Sequence, residues 1–390
     1  MIRWIAFRTI LAYCPLLMSA QSFDSLLDVL PEIPTAQKTF QIAEYIRSAG
    51  GLPLLEGDSV IFVVNSPWDR PKIMSGFNGF LNRRYISDST AGDMHNIQGT
   101  SWYYHKKKLA PDARIFYQYL MGANPHNDPL NYRLGYRFNL INSEFRMPDF
   151  KVHQELILDQ FIPKGEVTSD TLASDIFNQG RTLHVYLPPG YHLNNRDYPT
   201  AYFHDGSFYV QWGKVPQILD YLIAYGKIAP LIAVFDDPFD RGKEYQGDKN
   251  YADYIQHELI PYIDKEYQTR NTPEQRAVIG GSRGGLSALL LSHSSSVFSK
   301  CGTFSPAIHP RDIKEFTSLL SASDYQPQEV VIIGAIYDKI WYADALALKT
   351  YFEDQEIIFE YQSISQGHNI QAWINYLDDI LITFFPPNGE

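Results

Sequence analysis

Short apolar runs alternate with stretches of helical periodicity along the chain from residue 152 onward. The apolar runs predict strands at Gln154–Phe161, Arg181–Leu187, Thr200–His204, Leu231–Phe235, Arg276–Ile279, Lys300–Phe304 and Val330–Ile333. Helical spacing predicts helices at Val215–Tyr225, Tyr251–Glu266, Gly285–Ser292 and Tyr342–Glu353. Apolar strands that alternate with helices indicate a mostly parallel sheet covered on both faces. We therefore predict an α/β fold for residues 151–390.

The front of the chain follows a different pattern. Apolar residues recur at helical spacing over residues 21–56, with a proline-containing break between two helices. Residues 57–150 instead carry short β-branched and aromatic runs separated by turn residues, which predict strands at Val60–Val64, Trp102–His105 and Ile115–Leu120. Such strands are typical of a small β-sandwich. Within this part, residues 128–150 are predicted to be an extended linker.

Residues 1–20 have the layout of a secretory signal peptide. Arg3 and Arg8 are followed by the mostly apolar run Thr9–Met18, which is too short to span a bilayer of ~30 Å as a helix. The alternatives are a lipoprotein signal at Cys14, which its bulky and proline neighbours disfavour, and a buried first helix. No later segment has the 18 uninterrupted apolar residues of a membrane span. We expect export to the periplasm or the extracellular space, without stable membrane insertion.

Composition narrows the classes of function. The 390 residues are 45% hydrophobic, which gives ample material for a core and excludes a disordered chain. Acidic residues outnumber basic ones by 44 to 33, and the net charge of −11 argues against nucleic-acid or anionic-membrane binding. This balance still permits a local basic pocket. The two cysteines, Cys14 and Cys301, are too few for a disulfide scaffold or a cysteine-rich zinc module.

One segment combines a strand, a tight turn and the start of a helix around the pattern G-x-S-x-G at residues 280–284. In a nucleophile elbow, the turn strains the serine, and small flanking residues let the strand and the helix approach closely. Ser282 Oγ would then project at the carboxyl edge of the sheet. The alternative, a glycine-rich nucleotide-binding turn, lacks a Lys-[Ser/Thr] phosphate cradle. Ser282 is therefore predicted to be a nucleophile.

A serine nucleophile needs a base and an acid, which follow it in the order acid, histidine in this architecture. Three histidines come after Ser282: His293, His309 and His368. His368 lies in a late turn before a predicted final helix, Ala372–Phe384, where the base belongs. His293 is expected to be a surface or packing residue, and His309 could line the pocket. Asp338 follows the strand Val330–Ile333 and precedes one further predicted strand, Ile357–Tyr361. Asp338 and His368 would thus reach the same sheet edge as Ser282, although a loop histidine and a turn aspartate remain the structural alternatives.

The remaining site residues are predicted from their place at this edge. The backbone N–H of Arg283, at the helix start, would donate to an oxyanion, and so would the N–H of Gly206 or Ser207 after an early strand. Five side chains are candidates for contacting the substrate, with packing or domain contact as the alternative: Trp212, Asp237, Arg283, Trp341 and Tyr342. No metal site is expected, because His204 and Asp205 lack further ligands at suitable spacing. No organic cofactor is expected either.

At this point the sequence resembles the enterochelin (siderophore) esterase family and its wider putative-esterase relatives. The resemblance covers most of residues 55–385 and rests on the Ser282 elbow together with Asp128-Pro129-Leu130-Asn131, Arg146-Met147-Pro148, Arg181–Tyr191, His204-Asp205-Gly206, Glu258–Ile263 and Gly367-His368. It implies an α/β-hydrolase domain at 151–390, preceded by an immunoglobulin-like early-set domain at 57–150. It also implies a Ser282–His368 pair with Asp338 as the third member. The aromatic strands of residues 57–120 look similar to glycogen-binding-type modules.

The resemblance implies a secreted serine esterase that acts through an acyl-enzyme on a siderophore ester of the enterochelin type. Related enzymes of the same plan act on feruloyl and acetyl groups of plant polysaccharides, so these are the alternative substrates. An acyltransferase and a non-catalytic binding protein also remain open. The expected partner is a small-molecule or glycan-linked ester and not a nucleic acid, while the oligomeric state is left open.

Overall fold

A computed structural model describes residues 22–387, apart from Tyr85, Asn139, 154–160, 309–312 and Glu356. The described residues fall into two compact units. The first unit comprises the residues up to Gly135 together with Leu140–Phe150. The second comprises the described part of Tyr136–Asn139 and the residues from Lys151 onward. The predicted signal peptide, with Cys14, and most of the predicted strand Gln154–Phe161 lie outside the described residues.

The first unit combines two helices with two antiparallel sheets. The helices are α1 (Phe23–Val29) and α2 (Thr35–Ser48). The strands are β1 (Leu54–Glu56), β2 (Ser59–Asn65), β3 (Lys72–Ser75), β4 (His95–Asn96), β5 (Trp102–Lys108), β6 (Arg114–Met121), β7 (Asn124–His126), β8 (Leu134–Arg137) and β9 (Leu140–Arg146). One sheet has the order β1-β2-β5-β4; the other has the order β3-β6-β9-β8, with β7 paired to β6.

The helical segment belongs to the core of the first unit. Phe23 and Leu26 of α1 and Ile42 of α2 are fully buried, and they share a cluster with Ile61 and Val63 of β2. Because β2 alternates its side chains between two faces, one face can bury this apolar helix surface. The helices predicted within residues 21–56 thus cover a sheet, and that stretch ends in strand β1.

The predicted linker at residues 128–150 is wrong, since this segment contributes β8 and β9 to the second sheet. Its start is anchored by Asp128, whose buried carboxylate accepts hydrogen bonds from Tyr117 at 2.7 Å and Tyr119 at 3.3 Å. The sequence pattern did not reveal these two strands, because an irregular turn, Asp128–Asn131, precedes them and polar residues interrupt their apolar positions.

The second unit is built on an eight-stranded sheet of order β10-β11-β13-β12-β14-β15-β16-β17. The strands are β10 (Glu166–Ser174), β11 (Gln179–Leu187), β12 (Thr200–His204), β13 (Ile232–Asp236), β14 (Arg276–Gly281), β15 (Lys300–Phe304), β16 (Glu329–Ala335) and β17 (Ile358–Ile364). The pairs β10/β11 and β11/β13 are antiparallel, and all the other pairs are parallel.

Helices cover both faces of this sheet. They are α3 (Gly206–Gln211), α4 (Val215–Ala224), α5 (Arg241–Glu244), α6 (Lys249–Tyr254), α7 (Ile260–Glu266), α8 (Arg283–Ser294), α9 (Ile313–Ser321), α10 (Tyr342–Glu353), α11 (Ile370–Ile374) and α12 (Leu377–Phe384). A π-helical turn, Ile255–Leu259, joins α6 to α7. Along β14, Val278 belongs to one apolar core, while Ala277 and Ile279 belong to another, so the central strands are buried on both faces.

The predicted α/β fold with a mostly parallel sheet is confirmed. Strand β10 escaped prediction because most of its residues are polar, as its place at the sheet edge allows. The predicted helix Ala372–Phe384 is divided between α11 and α12. The immunoglobulin-like assignment of the front sheets and the predicted domain boundaries remain predictions. None of the helices in the described part of the chain is long and apolar enough to cross a membrane.

Candidate active site

Ser282 lies at the junction between β14 and α8, in a backbone conformation that few residues adopt. Its φ is 59° and its ψ is −122°, in the positive-φ region that favours glycine. The surrounding backbone holds this turn, because Ser282 N–H donates to Phe304 O at 2.8 Å and Ser282 O accepts from Leu286 N at 3.0 Å. The sequence thus places a strained serine at the end of a central strand, as a nucleophile elbow requires.

The glycines beside Ser282 are required by close contacts. A Cβ on Gly280 would lie 2.4 Å from the carbonyl carbon of Gly284, so that the strand and the helix could not approach. A Cβ on Gly281 would lie 2.6 Å from the ring of Trp373. These distances are shorter than van der Waals contact allows, which gives the glycine pattern its physical reason.

Asp338 and His368, far apart in sequence, are in direct contact. Asp338 follows β16 and is buried, while His368 follows β17, the neighbouring parallel strand. His368 Nδ1 and Asp338 Oδ2 are 2.6 Å apart, which is a short hydrogen bond with Nδ1–H as the donor when Asp338 is ionised. The other oxygen of Asp338 accepts from the N–H of Trp341 at 3.3 Å. This arrangement fixes the tautomer that leaves Nε2 free to accept a proton.

Aromatic rings surround the imidazole of His368, whose side chain is only 12% exposed. The ring centroid of Trp341 lies 4.4 Å from that of His368, and Trp373 meets the imidazole edge-on at 5.3 Å. Phe138, which also packs against Trp373, lies 6.0 Å away. These rings limit the positions that the imidazole can adopt and exclude water from its faces.

Ser282 and His368 share a neighbourhood but are not bonded to each other. Trp373 contacts the imidazole edge-on, and its ring also packs against Gly281, the residue before Ser282. Within the part of the chain that the structure describes, no hydrogen bond joins Ser282 Oγ to the imidazole. Contacts of this kind are often long in unliganded enzymes and tighten when substrate binds.

Of the predicted oxyanion donors, Arg283 and Gly206 are better placed than Ser207. Arg283 and Gly206 are the first residues of α8 and α3, and neither N–H has a partner among the described residues. The N–H of Ser207 already donates to both carboxylate oxygens of Asp237, at 3.0 and 3.1 Å, and the Ser207 hydroxyl binds the same carboxylate. Asp237 is therefore engaged in holding the loop that carries Gly206.

Arg241 is a residue of this site that the sequence analysis missed. Its guanidinium binds Asp205 through two hydrogen bonds of 2.7 and 2.8 Å and reaches Gly281 O at 3.5 Å. Asp205 itself has a φ of 58°, and its N–H donates to Tyr245 at 2.8 Å. Arg241 thus ties the loop before Gly206 to the residue before Ser282. No local pattern could reveal it, because Arg241 lies in a short helix 36 residues from Asp205.

Behind this loop lies a buried polar cluster centred on Arg181. Its guanidinium binds Glu244 at 2.8 Å and Asp236 at 3.3 Å, and Asp236 also accepts from Tyr251 and Tyr254. Burial raises the pKa of Asp236 to about 7, against the opposing effect of Arg181. Burial lowers the pKa of His204, which contacts Tyr251 at 3.0 Å, to about 3, so that the ring is neutral. The cluster thus holds the end of β13 and the loop after β12 through buried hydrogen bonds and ion pairs.

The other predicted residues have distinct positions. Trp212 is 38% exposed and packs on Tyr136 with ring centroids 5.1 Å apart. The Tyr342 hydroxyl hydrogen-bonds to Ser363 at 3.0 Å. His293 is buried, bonds Leu289 O at 2.7 Å through Nδ1, and has its pKa lowered to about 4 by burial. It packs as expected, whereas His309 lies outside the described residues.

No group of three or more histidine, cysteine, aspartate or glutamate side chains is arranged to hold a metal ion among the described residues. The Asp338–His368 contact is accounted for by its short hydrogen bond.

The family model described as "Putative esterase" matches residues 174–376, which is more than half of the chain. An endo-1,4-beta-xylanase/feruloyl esterase of Xylanibacter ruminicola is 29% identical over 185 residues, which are 43% of this chain and 23% of that protein. Two uncharacterized Bacillus subtilis proteins match over 56% and 55% of their lengths. The chain thus spans from 23% to 56% of the length of these curated relatives.

Solved structures match over nearly the whole chain. The ferric enterobactin esterase of Salmonella typhimurium has a TM-score of 0.70 and 18% identity, over 88% of this chain and 98% of that one. The enterobactin esterase of Shigella flexneri has a TM-score of 0.67 and 18% identity, over 87% and 97%. At this level of identity, the likeness shows a shared fold.

Proposed function

The chain belongs to the family described as "Putative esterase", and we propose that it is a serine carboxylic ester hydrolase that works through an acyl-enzyme. The observation that carries the proposal is the 2.6 Å hydrogen bond between Asp338 and His368 in the unit that holds the strained Ser282. A serine hydroxyl is a weak nucleophile until an oriented base takes its proton. The three residues follow the chain order serine, acid, histidine that is typical of α/β-hydrolases.

In the first half of the reaction, Ser282 Oγ attacks the ester carbonyl carbon while His368 Nε2 takes the hydroxyl proton. Asp338 holds Nδ1–H and stabilises the imidazolium cation. The backbone N–H groups of Arg283 and Gly206 stabilise the oxyanion. The imidazolium then gives its proton to the leaving alcohol, and the acyl group stays on Ser282.

The second half releases the acid. His368 Nε2 takes a proton from water, and the resulting hydroxide attacks the acyl carbon. When the tetrahedral intermediate collapses, Ser282 Oγ leaves and recovers the proton from the imidazolium. The enzyme returns to its starting state, with one ester and one water converted to an alcohol and an acid.

The proposed substrate is a siderophore ester of the enterochelin type, with a feruloyl or acetyl ester of a plant polysaccharide as the second candidate. Exposed aromatic side chains near the site support a substrate with aromatic groups, because Trp212 and Tyr136 form a partly exposed pair and Trp341 lies against His368. The fold shared with enterobactin esterases supports the first candidate, and the feruloyl esterase relative supports the second.

Hydrolysis of para-nitrophenyl acetate by the wild type and Ser282→Ala tests the mechanism. We expect the variant to lose at least ~10³-fold in kcat, since the nucleophile and its covalent intermediate disappear. A stopped-flow burst of nitrophenol, equal to the enzyme concentration, would report the acyl-enzyme in the wild type. Equal steady-state rates in the two proteins would end the proposal.

Substrate class and location need separate experiments. Comparing a catecholate trilactone with feruloylated arabinoxylan ranks the two candidate substrates, and added glycerol exposes acyl transfer through a new ester product. Export is part of the proposal and is supported by the charge and hydropathy pattern of residues 1–20. Cell fractionation followed by N-terminal sequencing tests it, and a full-length protein in the cytoplasm would contradict it.

A further inference from the structure

We infer that the guanidinium of Arg283 binds an anionic oxygen group, a carboxylate or a phenolate, on the ester substrate. This inference rests on the proposed function, because it concerns the same site. Arg283 directly follows the nucleophile and begins α8, so that its side chain starts beside the position of the ester carbonyl. Its backbone N–H is the proposed oxyanion donor, whereas its side chain has no role in that mechanism.

The first observation is that Arg283, unlike other arginines of its unit, has no carboxylate partner in an ion pair among the described residues. Three other arginines of the same unit each bind a carboxylate: Arg181 binds Asp236 and Glu244, Arg241 binds Asp205, and Arg276 binds Asp264. Arg283 is partly buried and forms no ion pair or hydrogen bond through its side chain with any described residue. A partly buried cation beside a nucleophile gains most from a partner that arrives with the substrate.

The second observation is where the guanidinium lies. Arg283 Nη1 is 3.5 Å from the position of a Cβ on Gly242, so it lies against the start of α5. Arg241, the residue before Gly242, binds both Asp205 and the carbonyl oxygen of Gly281, which is the residue before Ser282. The guanidinium of Arg283 is therefore at the rim of the elbow, on the side of the loop that carries Gly206.

The third observation is that the nearby carboxylates already have partners. Asp240 caps α5 by accepting from the N–H groups of Gly242 and Lys243. Glu244 accepts from Arg181 and from two backbone N–H groups, and Asp237 holds Ser207. Asp205 is bound by Arg241. These four carboxylates thus have partners among the described residues, which leaves the substrate as the proposed source of the complementary charge.

The proposed role of Arg283 also explains how a chain with a negative net charge can bind an anionic substrate. A chain with a net charge of −11 repels anionic substrates at long range. A single uncompensated guanidinium at the rim of the site would select anions at short range, where a bidentate contact adds geometry to charge. Arginine suits this role better than lysine, because its planar fork matches a carboxylate.

Matched pairs of esters test the inference. Para-acetoxybenzoate and para-acetoxybenzamide differ by one negative charge on the leaving-group side. The mono-para-nitrophenyl ester of terephthalic acid and para-nitrophenyl para-carbamoylbenzoate differ in the same way on the acyl side. The measured quantity is kcat/KM for the anionic ester divided by kcat/KM for the neutral ester that carries a carbamoyl group in place of the carboxylate. A general loss of activity cancels in this ratio.

We expect Arg283→Gln to lower this ratio at least ~10-fold for one of the pairs, which identifies the side of the ester that carries the anion. Arg283→Lys should recover part of the ratio. Arg270→Gln, which removes the same charge from an exposed position on the same unit, is the matched control. Higher salt should weaken the anion preference of the wild type, because screening acts on charge.

An unchanged ratio for both pairs in Arg283→Gln would overturn the inference, and so would an equal fall in Arg270→Gln. If the wild type hydrolyses the neutral carbamoyl esters and the ratio is unchanged in Arg283→Gln, only the role of Arg283 is refuted and the proposed function stands. If the wild type hydrolyses none of the four esters, or if Ser282→Ala matches it, the proposed function itself fails.

Discussion

The two sides of Ser282 are held in place by different forces. We define the acid–base side as Asp338, Trp341 and His368, and the loop side as His204, Asp205 and Arg241. On the acid–base side, one 2.6 Å hydrogen bond and a set of aromatic rings position the imidazole. On the loop side, Arg241 clamps Asp205 through two hydrogen bonds, and His204 contacts a buried cluster of charges.

The difference fits the roles that we propose for the two sides. A general base must gain and lose a proton in each half-reaction, so it can have only one fixed partner and must keep its other nitrogen free. Apolar rings can hold such a group without competing for its proton. An oxyanion donor does not titrate, and its value depends on fixed geometry, so ionic clamps serve the loop side better. Three variants test this contrast.

The largest effect is expected from Asp338→Asn on the acid–base side. The amide cannot stabilise the imidazolium and favours the wrong tautomer, so kcat for para-nitrophenyl acetate should fall by ~10³–10⁴ near pH 7. The matched control is Asp237→Asn, since Asp237 also follows a central strand but binds Ser207 N–H. That control should lose less than ~10-fold. Similar losses in both variants would contradict the different roles of the two aspartates.

A smaller effect is expected from Arg241→Ala on the loop side. Without the clamp, the loop carrying Gly206 should lose its fixed distance from Ser282, and kcat/KM should fall by up to ~100-fold. Affinity for a boronic acid, which forms a tetrahedral adduct with the serine, should fall in parallel, because the loss lies in oxyanion binding.

Two further measurements make the role of Arg241 specific. Arg241→Lys should recover little, since an ammonium cannot make the paired contact with Asp205. In a double-mutant cycle with Asp205→Asn, the two losses should be far from additive, because the residues act as one unit. Additive losses, or unchanged boronic acid affinity, would show that Arg241 does not position the loop.

The smallest effect concerns acid stability and is expected from His204→Phe. The pKa of His204 is about 3 in the folded state, against 6.5 when unfolded, so the unfolded state binds a proton first as the pH falls below 6.5. The wild type should lose about 2 kcal/mol of unfolding free energy from this residue between pH 7 and pH 5. The unfolding free energy measured with urea should therefore fall less between pH 7 and pH 5 in His204→Phe than in the wild type.

The opposite shift of Asp236 makes the comparison between proteins essential. Burial raises the pKa of Asp236 to about 7, so its protonation in the folded state favours folding as the pH falls from 7 toward 3.8. Between pH 7 and pH 5 this contribution has the opposite sign and a similar size, about 2 kcal/mol, so it hides that of His204 in the wild type alone. Equal pH dependence in the wild type and His204→Phe would show that His204 does not contribute.

Much of the fold and part of the site were predictable because they depend on local sequence. Apolar runs predicted β12 and β15 at their observed bounds, since central strands buried on both faces must be continuously apolar. Edge strand β10 and the β8–β9 segment escaped, because their polar positions weaken the pattern. The chain order and the positions of the strand ends were enough to predict Asp338 and His368 as site residues. In the fold, Asp338 Oδ2 and His368 Nδ1 lie 2.6 Å apart.

The sequence by itself determined the elbow, because G-x-S-x-G encodes both the strain on Ser282 and the close packing around it. It determined the alternation of strands and helices for the same reason, since periodicity is written residue by residue. Only the tertiary structure decided that Arg241 clamps Asp205, that Asp237 occupies Ser207 N–H, and that Arg283 pairs with none of the described carboxylates. Pairing of charges depends on which residues meet in space, and the linear pattern does not contain that information.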